Sequence, residues 1–78
     1  MDRRVASRRH VLMSATIEFG GATTGCVVRN MSISGAALDV TSPIGIPEQF
    51  MLVFKSDGVR IPCHIVWRKD EWIGVAFD

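Results

Sequence analysis

Between Val11 and Phe19 every second residue is apolar. Val11, Met13, Ala15, Ile17 and Phe19 fall on one side, and Ser14, Thr16 and Glu18 on the other. A period of two predicts a half-buried strand. Gly20-Gly21 then reads as a turn, and Thr24 to Met31, rich in β-branched residues, as a second strand. Gly35 to Val40 is a third, with Ala36, Leu38 and Val40 inward. Pro43, Gly45 and Pro47 make Thr41 to Glu48 a connection. Gln49 to Lys55 is a fourth strand with Phe50, Leu52 and Phe54 inward, and Ser56-Asp57-Gly58 is a hairpin signal. Along the fifth, Val59 to Arg68, the inward set is Val59, Ile61, Cys63, Ile65 and Trp67. Pro62 cannot donate to a ladder, so it predicts a local edge or a bulge. Lys69-Asp70-Glu71 turns the chain into a last strand, Trp72 to Phe77.

No segment keeps apolar spacing at i, i+3, i+4 and i+7. Six short strands with regular turns predict an all-β fold, a small antiparallel barrel or sandwich, and closing a barrel removes exposed edges. Seventy-eight residues allow one domain, residues 1–10 forming an arm and 11–78 the barrel. A chain this short buries only about 60% of its unfolded surface. The apolar share of 47% suffices for a packed core and argues against disorder. No apolar run reaches the roughly 20 residues of a membrane span, and no signal-peptide core follows the basic start, so the expected location is cytoplasmic. Cys26 and Cys63, far apart and inside strand-like runs, read as buried free thiols.

The net charge of +1 says little, but its distribution says more: Arg3, Arg4, Arg8 and Arg9 crowd the start with only Asp2 nearby. That asymmetry suggests an anionic partner at one place, the alternative being a solvated tail. Catalytic signatures fail. Cys63 and His64 are adjacent on a strand and point to opposite faces. His10 and His64, both expected on the surface, lack with the two cysteines the close pairing of a zinc site, so no metal or cofactor is expected. Gly20-Gly21 lacks the spacing and lysine of a phosphate loop.

Two stretches carry candidate chemistry. Arg4 and Arg8 stand four apart just before the first strand, and guanidinium is a planar fork suited to phosphate and to the O6/N7 edge of guanine. Asn30-Met31-Ser32-Ile33-Ser34-Gly35 is a polar turn between two apolar runs. Its Asn and Ser supply hydrogen-bonding groups, and its Gly lets the backbone bend or come close to a ligand.

In these features the chain resembles the PilZ domains, receptors for the bacterial second messenger cyclic di-GMP. Arg4-Val5-Ala6-Ser7-Arg8 matches their Arg-x-x-x-Arg pattern, and Asn30 to Gly35 their Asp/Asn-x-Ser-x-x-Gly pattern. The close of the chain, Trp67-Arg68 and Ile73-Gly74-Val75-Ala76-Phe77, is similar to their last hairpin. The resemblance implies a six-stranded split barrel and a non-catalytic module that binds cyclic di-GMP and passes a change to a downstream protein. It implies that Arg4 and Arg8 contact phosphates and guanine faces, that Asn30 and Ser32 bond a guanine edge, and that Gly35 keeps the turn open. Arg3 stands where the family influences whether one nucleotide or a stacked pair binds; a third guanidinium favours the pair. Arg9 has no motif counterpart and is expected to face solvent.

Ordering about eight residues costs on the order of 8–16 kcal/mol, against roughly 1.5–3 kcal/mol per charge-assisted bond, so the arm is expected to be flexible until ligand binds. Such domains often add a helix after the last strand, and this sequence stops at Asp78; either the helix is missing or the sequence is cut short, and an open barrel end is then expected to be available to a second subunit in a homodimer. Two other readings remain. One is a PilZ-like module that binds protein and no nucleotide. The other is a small single-stranded nucleic-acid binder of the OB type, against which near-neutral charge and inward-facing Phe19, Phe50 and Phe54 both argue.

Overall fold

Each alternating segment becomes a strand. A computed structural model describes residues 9–78, with side chains from His10 onward. The strands are β1 (Arg9–Phe19), β2 (Ala22–Met31), β3 (Gly35–Val40), β4 (Gln49–Phe54), β5 (Arg60–Lys69) and β6 (Trp72–Phe77). They close into one barrel in the order β1-β2-β3-β6-β5-β4, every neighbouring pair antiparallel. β1 begins two residues before the first alternating residue because Arg9 still has a partner, Met31.

Turn chemistry sets the hairpins. Gly20 and Gly21 join β1 to β2 with φ of 52° and 80°, the left-handed pair that a two-residue hairpin loop requires. From β3 the chain must reach β4, which is not β3's neighbour, so the connection crosses the barrel's end. Ile46 on that crossing is 3% exposed and packs into the core, while Pro43–Gly45 forms a short 3-10 turn held by Arg68, which donates to the Pro43 carbonyl. The interior is filled from every strand. Ile17, Val28, Leu38, Leu52, Cys63 and Ile73 are the largest fully buried side chains, each contributing roughly 1.5–3 kcal/mol if aliphatic. Both cysteines are free and buried.

Two inward assignments on the fifth strand are corrected. Val59 lies in the hairpin ahead of β5 and is 46% exposed; its N–H donates to Asp57 Oδ1 at 3.0 Å, so the turn rather than the strand fixes it. Trp67 is 45% exposed. The β5–β6 register slips between Ile65 and Trp67, so Val66 is an extra residue and the alternation inverts beyond it. Pro62 sits at no bulge. Its carbonyl accepts from Asp78 N at 2.9 Å, and in an extended strand the amide of a residue points the same way as its carbonyl. The missing N–H therefore faces the chain beyond the end of β6, a local edge, and removes no rung shared with β4.

Candidate functional site

The register slips three times, and the slips line up. β1 carries one extra residue between His10 and Met13, β2 one between Val28 and Asn30, and β5 one between Ile65 and Trp67. Beyond each slip the pairs run His10–Asn30, Asn30–Ala37, Ala37–Gly74 and Gly74–Trp67. Directly paired residues share a face, and since Ala36, Leu38, Ile73 and Val75 fill the core, this row lies on the barrel's outer surface. Aligned bulges are a feature of binding regions, because they re-aim side chains that strict alternation would bury. Here the β2 bulge turns Asn30 outward and brings Met31 against the core.

The row has a low floor. The outward positions on β3 and β6 are small at this end, Gly35, Ala37, Gly74 and Ala76, the first three of them buried, and larger at the other, Asp39 and Trp72. The Trp67 indole fills the space where a Cβ on Gly74 would stand, so the ring lies flat across β6 with its other side in solvent. Asn30 and the Trp67 Cα are three strand spacings apart, about 14 Å, and the ring reaching back over β6 takes about one spacing of that.

Ser32 and Ser34 border the floor at the β2–β3 turn. Ser32 N donates to Gly35 O at 2.9 Å, and Ser34 N donates to Ser32 Oγ at 3.2 Å. The two hydroxyls are 3.2 Å apart. The Ser32 hydroxyl thus serves its own turn first: its oxygen accepts from Ser34 N, and its proton points to the Gly35 carbonyl at a long 3.5 Å, a contact weak enough to exchange for a stronger acceptor. Gly35 has a different reason from the one expected. Its φ is not positive; a Cβ there would run into the Val75 carbonyl and stand 3.3 Å from the Ala76 Cα. Close passage of β6, not openness of the turn, requires glycine.

Two polar pairs among the described residues lie on the face. Arg29 Nη1 is 3.3 Å from Asp39 Oδ2, and its guanidinium carbon lies 5.6 Å from the Trp72 ring centroid. His64 Nδ1 is 2.5 Å from Asp78 Oδ1. β1 starts with Arg9 opposite Met31, next to the Asn30–Gly35 turn, and Arg3, Arg4 and Arg8 precede it in the sequence. Those three residues, and the side chain of Arg9, lie outside the described residues.

Of the expected site residues, then, the fold brings Asn30, Ser32 and Gly35 to one end of the outer floor. Trp67, read from sequence as inward packing, closes the other end. No local signal marked it, since an unbulged strand with Val66 outward and Trp67 inward fits the same sequence. Burial holds the thiols protonated: Cys26 is pushed up to about 11 and Cys63 to about 12, so neither is a nucleophile at neutral pH. Among the described residues no three of His, Cys, Asp and Glu gather as a metal-binding group, and no helix is long and apolar enough to cross a membrane.

In a comparison with known families, the model of the PilZ domain matches residues 2–78. No curated protein matches the chain.

Proposed function

The chain belongs to the PilZ domain family, and from that premise we propose that it is a non-catalytic receptor module that binds cyclic di-GMP on the outer floor between Asn30 and Trp67. The aligned bulges support this reading, because through them the Asn30 amide and the exposed Trp67 indole share one outer row with the small residues Ala37 and Gly74.

Each group has a role that its chemistry suits. The Asn30 side chain offers both a donor and an acceptor to a guanine edge, and the Ser32 hydroxyl donates its proton. The open side of Trp67 stacks on a ring. Arg4 and Arg8 supply forked charge to the phosphates and stack on guanine, and Arg3 neutralises a second, stacked nucleotide. Arg4 is five residues from Arg9, so an extended chain can carry it at most about 17 Å from the start of β1, enough to span the floor. Closing this arm is the change that a downstream protein reads. By this reading the protein works in the cytoplasm, where the messenger is made.

Calorimetry with the purified chain tests it. Cyclic di-GMP binds, cyclic di-AMP binds much more weakly, and Arg4→Ala or Arg8→Ala removes most of the affinity. Asn30→Ala weakens binding by roughly 1–3 kcal/mol, the penalty for an unpaired buried edge. Heat of binding that is unchanged in both arginine variants overturns the assigned roles. No heat at all from the intact chain favours a PilZ-like module that binds protein instead.

A further inference from the structure

Binding through Asn30, on the reading above, requires that its amide face the outer floor, and the residue that turns it there is Arg29, the extra residue of the β2 bulge. A bulge breaks the local ladder, and a slip of one residue would exchange the faces of Asn30 and Met31. Met31 packing on the core holds the register from inside. From outside, Arg29 is held twice: by Asp39 on β3 at 3.3 Å and by the Trp72 ring on β6 at 5.6 Å. Asp39 and Trp72 are themselves a direct cross-strand pair. One side chain therefore ties the bulge to the two strands that form the floor.

We propose that Arg29, Asp39 and Trp72 form a clamp that orients Asn30 for its ligand, with Arg29 a positioning residue and not a ligand contact. Its guanidinium is committed to a carboxylate and an aromatic face, and both partners stand two positions along β3 and β6 from the Ala37–Gly74 pair, with the inward Leu38–Ile73 pair between. The pair is partly exposed, with 42% and 37% of the two side chains open to solvent, so its loss loosens the bulge without unfolding the barrel.

The sign of one substitution separates this role from direct contact. Asp39→Asn removes a negative charge near an anionic ligand. If Arg29 touched the ligand, freeing it would leave affinity equal or raise it; a clamp that has lost its anchor binds cyclic di-GMP about three- to tenfold more weakly. Arg29→Ala is expected to weaken binding to the same degree, and Arg29→Lys, which keeps the cation, to recover most of it. The ligand-free protein supplies a second readout. In heteronuclear NMR spectra the Asn30 side-chain amide signals shift in Arg29→Ala and in Asp39→Asn, while the thermal midpoint moves by only a few degrees. Unmoved Asn30 signals, or tighter binding in Asp39→Asn, overturn the clamp. If the signals shift but the unsubstituted chain binds no cyclic di-GMP, the clamp stands and the ligand assignment fails.

Discussion

Adding one methyl group to Gly35 tests the architecture of the floor. The Cβ of Gly35→Ala would overlap the Val75 carbonyl, and the Ala76 Cα is only 3.3 Å away, so backbone and not a flexible side chain must yield. Pushing β3 from β6 is an overpacking strain of about 1–3 kcal/mol. It also loosens adjacent rungs, including Phe77 N to Ser34 O at 2.9 Å, at about 0.5–1.5 kcal/mol each. The expected loss is about 2–4 kcal/mol, against a total stability of about 4–12 kcal/mol for a chain of this length. At about 4–8 °C per kcal/mol, the thermal midpoint falls by about 10–25 °C. Circular dichroism melts of the ligand-free protein measure this directly. Gly25→Ala is the control: no atom lies within 4 Å of its added Cβ and its φ is not positive, so it gains about 0.4–1 kcal/mol from a stiffer unfolded chain. A Gly35→Ala protein that melts within about 3 °C of the parent yet fails to bind nucleotide would refute the reasoning, and would return Gly35 to a role in ligand approach.

Other substitutions probe neighbouring claims. Gly74→Ala meets the Trp67 ring and no backbone, so the ring swings outward at a stability loss of only about 1 kcal/mol, its fluorescence shifts to the red and nucleotide affinity drops; unchanged emission contradicts the stacked geometry. Leu38→Ala, at a fully buried centre, removes about 2–5 kcal/mol in urea titration, and a loss below about 1 kcal/mol would mean that the core is not closed there. The thiols set an alkaline limit. Their folded pKa values are raised above the unfolded ones, so their contribution is full below about pH 8.5, where both states are protonated, and declines as the unfolded chain ionises first, until the folded thiols also titrate near 11 and 12. Stability measured from pH 8.5 to 11 therefore falls less steeply in Cys63→Ala than in the parent, and identical slopes would exclude this cause.

Much of this protein follows from local pattern. Alternation, β-branched runs and turn residues located all six strands, and β3 and β6 to the residue, because each of these signals lies within the segment itself or at its ends. Gly20-Gly21 specified a hairpin for an equally local reason, the backbone angles that only glycine adopts cheaply. The turn from Asn30 to Gly35 and the arginines could be singled out by residue chemistry alone. What alternation could not reveal was the face of any residue beyond a bulge. One extra residue inverts everything after it, and whether the residue is extra depends on the partner strand's hydrogen bonds, as Trp67 shows. Strand order belongs to the same class: β3 lies beside β6 and not beside β4, so Gly35 needs to be glycine on account of a strand some forty residues later. Patterns between neighbours along the chain fixed the elements; contacts between residues distant along it decided which faces meet, and through them where the candidate site lies.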